Sequence, residues 1–288
     1  MNITVRIFLQ ILREKAVSGG GSMEKRNLLL TIEYDGTYFS GWQRQPGRRT
    51  VQGELENVLS TLCGTEISID GTGRTDAGVH ALGQCATFSG EFGIPVDRLL
   101  KAANDMLAES RLKGGDVRIT SVRQVPEEFH ARFSAKGKRY VYRIFCGEQM
   151  PVFLRNYRYH VHRPLDTEAM ARALRAFEGT HDFRGFMAAG STLKGSTVRT
   201  IFETSLKVSR VTGIPGNGGA GAPSEIEISV KGDGFLYNMV RIIAGTLVDT
   251  GVGRIPADSL PQIIASGERS RAGHTAPPQG LYMAEVFF

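Results

Sequence analysis

The feature that most narrows the fold of this chain is an order of six periodic segments that occurs twice. Leu28, Leu30, Ile32 and Tyr34 alternate as one face of a strand, and Val51, Leu55, Val58, Leu59 and Leu62 recur at helical spacing. Thr50 is placed to cap that helix and Gly64 to end it. Strands follow near 66–70 and 83–89, then a helix near 97–109 started by Asp97, then a strand near 116–125. The second half repeats the order: a strand at 137–146, a helix at 166–178 between Asp166 and Gly179, strands near 198–209 and 225–232, a helix at 236–250 and a last strand at 281–288. Strand, helix, strand, strand, helix, strand is the split βαβ pattern. The expected fold is therefore α+β: two split-βαβ (ferredoxin-like) halves with largely antiparallel sheets and a central active-site cleft. The expected division is a flexible N-terminal extension over 1–22, a first half over 23–128 and a second half over 129–288.

Between the two middle strands of the first half lies Gly73-Arg74-Thr75-Asp76-Ala77-Gly78-Val79-His80-Ala81, bracketed by Gly71 and Gly83. Glycine is used where a backbone turns with positive φ or lets another molecule come close. Asp76 and Arg74 in such a loop read either as a surface ion pair on a tight hairpin or as chemistry. The matching connection of the second half, Gly213-Ile214-Pro215-Gly216-Asn217-Gly218-Gly219-Ala220-Gly221, carries no reactive side chain and reads as a hairpin tip. Only the first half carries a candidate nucleophile.

Other residues invite the same double reading. On the helix at 236–250, Leu236, Val240, Ile243 and Leu247 form the expected core stripe, and Arg241 points away from it with Asn238 and Gly245, toward solvent or a cleft. The strand Lys138-Arg139-Tyr140-Val141-Tyr142-Arg143-Ile144-Phe145 alternates cations and aromatics, with Tyr140, Tyr142 and Ile144 on one face, and Arg132 and Lys136 stand just before it. Aromatics in strands are commonly sheet packing, yet aromatic rings beside cations also hold splayed RNA. The segment from Tyr34 to Arg49, with Trp42, Arg44, Arg48 and Arg49, is either a basic aromatic binding loop or a long loop with an apolar anchor.

Bulk composition supports a polyanionic partner without requiring one: 35 Lys and Arg against 29 Asp and Glu give +6 and a pI near 9.3. Cys63, Cys85 and Cys146 are odd in number and sit in apolar runs, which argues against a disulfide framework or thiolate metal site and makes a reducing cytoplasm the expected setting. No apolar run approaches the roughly 18 to 20 residues that cross a bilayer. Ile3 to Leu12 is interrupted by Arg6 and followed by a Gly-Ser stretch before Met23, so the start of the chain reads as an extension and not as a cleaved signal peptide. His160, His162 and His181 show no recognised metal-ligand spacing, and the glycine motifs of nucleotide, dinucleotide and serine-hydrolase sites are missing.

Taken together, Tyr34-Asp35-Gly36, Gly41-Trp42-Gln43-Arg44-Gln45, the Gly73 to Ala81 loop, Phe129-His130-Ala131-Arg132-Phe133-Ser134-Ala135, Arg139-Tyr140, Asp182-Phe183, Val198-Arg199-Thr200-Ile201 and Met239-Val240-Arg241 resemble the tRNA pseudouridine synthase A family, in order from about residue 26 to 288. The resemblance implies conversion of uridine to pseudouridine in the anticodon stem-loop of tRNA, at positions 38, 39 and 40, with no cofactor and no metal. It matches Asp76 to the family's catalytic aspartate, as covalent partner of the ribose or as the base that takes its C2′ proton. It matches Arg241 to a cation that keeps Asp76 ionised, Tyr140 to a ring that stacks on uracil and relays the C5 proton, and Arg74 to a side chain that fills the place of the extruded nucleotide. Arg44, Arg48, Arg49, Arg132, Lys136 and Arg139 are then expected to hold phosphates. A homodimer is implied by resemblance alone; neither a membrane nor DNA is an expected partner. The first 22 residues, the tip at 213–223 and Gly185, where a serine or alanine is more usual, depart from the pattern.

Two other functions compete. A non-catalytic RNA-binding protein would use the same basic surface and tolerate Asp76→Asn. A hydrolase acting on a nucleoside or glycoside would need a second carboxylate near Asp76, and none stands close in sequence.

Overall fold

The computed structural model describes residues 25–109, 114–211 and 223–288, so the expected extension over 1–22 and the tip residues 213–222 lie outside the described residues. The described chain divides into two compact units, one of 25–77 with 81–135 and one of 78–80 with 136–288.

The first unit runs β1 (Lys25–Tyr34), α1 (Val51–Cys63), β2 (Asp70–Gly71), β3 (His80–Glu91), α2 (Val96–Ala108) and β4 (Val117–Val125). Its strands pair antiparallel in the order β4-β1-β3-β2, which is the order of a split-βαβ sheet. Leu28, Leu30 and Ile32 of β1, Leu55 and Leu59 of α1, and Leu99 and Ala103 of α2 are all buried. Helix α1 begins as its sequence predicts, with the Thr50 side chain accepting from the Gly53 N–H, and ends at Gly64 in the left-handed region. Helix α2 does not start at Asp97. Pro95 precedes it without a side-chain cap, and Asp97 lies in the first turn, where a negative charge faces the positive helix end.

The strand expected over 66–70 is reduced to Asp70–Gly71. Ile67 and Ile69 are buried as a strand's inward residues would be, but their N–H groups donate to side chains of α1: Ile67 to Ser60 Oγ at 2.8 Å and Ile69 to Glu56 Oε1 at 3.1 Å. Helix side chains thus satisfy donors that a ladder would otherwise satisfy.

The second unit runs β5 (Gly137–Cys146), β6 (Tyr159–Val161), α3 (Thr167–Arg175), β7 (Gly179–Asp182), β8 (Val198–Arg210), β9 (Ser224–Gly232), α4 (Met239–Gly251), α5 (Leu260–Ser266) and β10 (Leu281–Phe287). The order β10-β5-β9-β8 repeats the split-βαβ sheet, all antiparallel, with β7 added beyond β8 and β6 parallel to β5. Helix α3 stops at Arg175 because the next three N–H groups bond only three residues back, to Ala173, Leu174 and Arg175 carbonyls, which tightens the last turn before Gly179.

Helix α4 begins at Met239 and not at 236, because Asn238 takes φ 59°, outside the right-handed helix. Twelve of its thirteen residues are buried, so this is a core helix, and the face carrying Gly245 is covered by chain instead of opening on solvent. Among the described residues no helix is long and apolar enough to cross a membrane.

Candidate active site

In the first unit, the loop that carries Asp76 is clamped through the residues just before it. The Thr75 carbonyl accepts the Trp42 N–H at 3.0 Å, and the Thr75 hydroxyl meets the Tyr34 hydroxyl at 2.7 Å. Tyr34 is fully enclosed, and burial pushes its pKa up despite the hydrogen bond from Thr75, so the phenol stays protonated. Gln84, buried in β3, donates to the Gly73 carbonyl at 2.8 Å, while its amide oxygen accepts from Thr72 Oγ1 at 2.5 Å. Gly41 has φ +90°, and a Cβ there would stand 2.6 Å from the Thr75 carbonyl oxygen, so only glycine lets these two segments touch. Asp76 itself is half-buried.

Arg74 is exposed and held by one bond, from its Nε to Gln43 Oε1 at 3.1 Å. Behind it runs a relay: Gln43 Nε2 donates to Gln52 Oε1 at 2.9 Å, and Gln52 Nε2 donates to Glu56 Oε1 at 3.0 Å. The Arg44 N–H also reaches Gln52 Oε1 at 2.9 Å. Its guanidinium lies 3.2 Å from Glu56 Oε2, close enough for charge attraction but not aligned as a hydrogen bond. Helix α1 therefore supplies both the support of the 67–69 segment and the relay to Arg74.

The other expected phosphate binders differ in how engaged they are. Arg48 and Arg132 are exposed. Arg49 is spent on structure: its guanidinium binds Asp116 at 2.7 and 2.9 Å and Glu54 at 2.8 Å and lies 4.1 Å over the Phe39 ring. Those carboxylates, Asp116 first, raise its pKa further above the ordinary arginine value.

In the second unit, Tyr140 lies on β5 opposite Val230 and Met283, is 8% exposed, and meets Phe235 edge-on with ring centres 5.0 Å apart. Lys136 is exposed, and Arg139 reaches Glu203 at 3.4 Å and Glu285 at 3.6 Å. Arg241 stands in the first turn of α4. Its Nε donates to the Ala276 carbonyl at 2.7 Å and its Nη1 to Asn238 Oδ1 at 2.7 Å, so the unusual Asn238 conformation supplies an acceptor that fixes the guanidinium.

Ala276 belongs to a strap, residues 273–277, fastened along α4. Its N–H returns a bond to the Arg241 carbonyl at 3.1 Å, the Gly273 N–H donates to Thr246 Oγ1 at 2.9 Å, and the His274 N–H and Nδ1 reach Asp249 Oδ2 at 3.2 and 3.0 Å. Tyr142 donates to the Pro277 carbonyl at 2.7 Å, and burial holds its phenol well above the usual range, partly offset by the charge of Arg241. Burial opposes ionisation of Asp249, but the hydrogen bonds and charge of His274 and the hydrogen bond from Arg254 outweigh it, and its carboxyl sits below the ordinary carboxylate range.

Sequence reasoning missed Gln43, Gln52, Gln84, Glu56, Asp249 and His274. Gln84 had a legible signal, a polar amide within a long apolar strand; the Gln52 to Glu56 spacing of four is another, since it puts both on one helix face. Among the described residues no three His, Cys, Asp or Glu side chains are grouped to hold a metal ion. His160 instead lies beside His162, with ring centres 3.9 Å apart, and bonds the Gly147 carbonyl.

A family model described as tRNA pseudouridine synthase matches residues 30–134 and 173–288. Asp76, Arg74 and Arg241 fall inside the matched segments, and Tyr140 falls between them. The tRNA pseudouridine synthase A of Acetivibrio thermocellus is 47% identical over 263 residues, covering 91% of this chain and 100% of that protein. The proteins of the same name from Halalkalibacterium halodurans and a Geobacillus species are 45% and 43% identical, over 88% and 92% of this chain and 89% and 99% of their own lengths.

Proposed function

The chain belongs to the tRNA pseudouridine synthase family, and on that premise we propose that it isomerises uridine to pseudouridine in the anticodon stem-loop of tRNA, at positions 38 to 40, with Asp76 as the reacting carboxylate and no cofactor. The isomerisation breaks the N1–C1′ bond, turns the uracil and forms a C5–C1′ bond; the C5 proton leaves and N1 gains one, so nothing external is consumed. The Asp76 carboxylate acts either as nucleophile at C1′ or as the base that removes the C2′ proton.

What supports this reading above all is the family match across a loop whose backbone is fixed at Gly73 and Thr75. A carboxylate presented from a clamped backbone loses little freedom on reaching its reactive geometry. Arg241, fixed by Ala276 and Asn238, is assigned as the cation that keeps Asp76 ionised. Tyr140 is assigned to stacking on the uracil and carrying the C5 proton. Arg74, exposed on a single tether, is assigned to the space vacated when the nucleotide flips out. Phosphate contacts fall to Arg48, Arg132 and Lys136, and to Arg44 despite its nearby Glu56, all four being exposed, more than to the partly buried Arg49 and Arg139, whose guanidinia already have carboxylates. A homodimer and a cytoplasmic setting, in keeping with three free cysteines, complete the proposal.

The test is release of tritium from tRNA transcribed with 5-tritiated uridine, followed by mapping of the product. The expected result is stoichiometric release, pseudouridine at one or more of positions 38 to 40, and no free uracil. Tight tRNA binding without release contradicts the proposal. Light scattering should give twice the 31.5 kDa chain mass.

A further inference from the structure

Among the described residues, the most exposed large apolar side chain of the first unit sits on a rigidly held turn. Phe133 is 77% exposed. A ring left that far in water adds almost nothing to folding by burial. Yet the turn beneath it is pinned. Asn27 Nδ2 donates to the Pro126 and Phe129 carbonyls at 2.8 and 2.7 Å, and the buried Ala131 donates its N–H to Thr87 Oγ1 at 3.1 Å. The Ser134 N–H closes the turn on the His130 carbonyl at 2.8 Å, and Ser134 Oγ accepts the His130 N–H at 3.1 Å.

The same turn builds a buttress for the ring. The His130 imidazole packs on Phe133 with centres 4.5 Å apart and planes tilted by 41°. Its Nδ1 accepts the Arg132 N–H at 3.1 Å, which makes Nε2 the protonated nitrogen of the neutral ring and turns it toward Asp70 Oδ2, 3.6 Å away. The exposed Arg132 guanidinium stands 5.7 Å from the centre of the Phe133 ring. A fixed aromatic ring with an open side and a neighbouring cation is the arrangement that takes a nucleobase and its phosphate together.

We propose that Phe133 is a stacking platform for an unpaired base of the RNA substrate, buttressed by His130, with Arg132 holding the adjoining phosphate. The proposal rests on the tRNA reading and adds to it a contact that lies outside the residues assigned to chemistry. A second copy of this chain is the competing occupant. The observations favour RNA because the charged group nearest the ring is the exposed Arg132 guanidinium, and a chain of net charge +6 suits a polyanion more than a second copy of itself.

The experiment compares the full chain with Phe133→Ala and Phe133→Trp in tRNA binding and in single-turnover tritium release. Phe133→Ala is expected to weaken tRNA binding on the order of tenfold while the rate at saturating tRNA stays within about twofold, and Phe133→Trp is expected to retain affinity. The one native tryptophan, Trp42, is 2% exposed, so emission from the introduced indole is separable and should be quenched on binding. Wild-type affinity in Phe133→Ala, or unchanged emission in Phe133→Trp on tRNA binding, overturns the platform while leaving the synthase reading intact. Loss of the dimer in Phe133→Ala with unchanged tRNA affinity per site assigns the ring to a second copy and also overturns it. If the wild-type chain neither binds nor modifies tRNA, the functional reading falls and the platform with it.

Discussion

The second strand of the first unit is Asp70–Gly71, two residues long, whereas its counterpart in the second unit is Val198–Arg210, thirteen residues long. The four split-βαβ strands of each unit otherwise share one order. In the second unit, β8 pairs with β9 along most of its length, and the backbone satisfies itself. In the first, the segment before Asp70 leaves the ladder, and Ser60, Glu56 and Gln52 of α1 take over its N–H and C=O groups. Just beyond the short strand, the chain from Thr72 to Thr75 is held by the Gln84 and Tyr34 side chains together with the Cys85 carbonyl and the Trp42 N–H, so that Asp76 follows a fixed backbone. The second unit keeps its ladder and places its own candidate, Arg241, on a buried helix fastened by the 273–277 strap.

Glu56 is where this contrast breaks most easily outside Asp76 itself. Its Oε1 receives Gln52 Nε2, the Ile69 N–H and Ser68 Oγ at 3.0, 3.1 and 3.4 Å. Glu56→Ala leaves buried donors unpaired and is expected to cost about 2–4 kcal/mol in urea denaturation, with a fall in the single-turnover rate. The matching cut in the ladder-built unit, Lys207→Ala on exposed β8, should stay within about 0.5 kcal/mol. Equal effects would mean that α1 does not carry the loop.

Gly245→Ala probes the strap. An alanine in a helix ordinarily gains about 1 kcal/mol over glycine. Here the added Cβ would lie 1.8 Å from the His274 carbonyl oxygen, so the sign reverses, to a loss of about 1–3 kcal/mol, together with slower turnover as Arg241 loses its Ala276 acceptor. A stabilised, fully active variant would show that the strap does not position Arg241.

The smallest effect is pH-dependent. The folded pKa of Asp249 lies below its unfolded value, so its ionised form adds stability above the ordinary carboxylate pKa of about 3.9, and that stability is lost as pH falls through the depressed folded value. The difference in unfolding free energy between wild type and Asp249→Asn should be full at pH 6 and close in acid. A gap that is constant with pH removes the ion pair from the account.

Much of this was legible in sequence where local chemistry decides structure. Thr50 and Gly64 bound α1, the alternation of 137–146 gives β5 at its observed limits, and the doubled strand and helix order gives both sheets. The misses share a cause. Ile67 and Ile69 alternate like a strand, but bonds to α1 side chains decide their backbone; Asn238 takes a left-handed conformation and bonds Arg241, at a position where the apolar spacing continues the helix; and the strap is held along α4 by bonds to residues some thirty positions earlier. For the candidate site, the glycine-bracketed loop marks Asp76 and Arg74 as candidates, but the glutamine relay behind them depends on partners far apart in the chain, such as Arg74 with Gln43.

Asp76→Asn, nearly isosteric and uncharged, tests the central claim most directly when single-turnover tritium release and tRNA affinity are measured together. The expected result is a rate lowered by roughly a thousandfold or more with affinity held within a few-fold. Release at the wild-type rate would contradict the assignment of Asp76 as the reacting carboxylate.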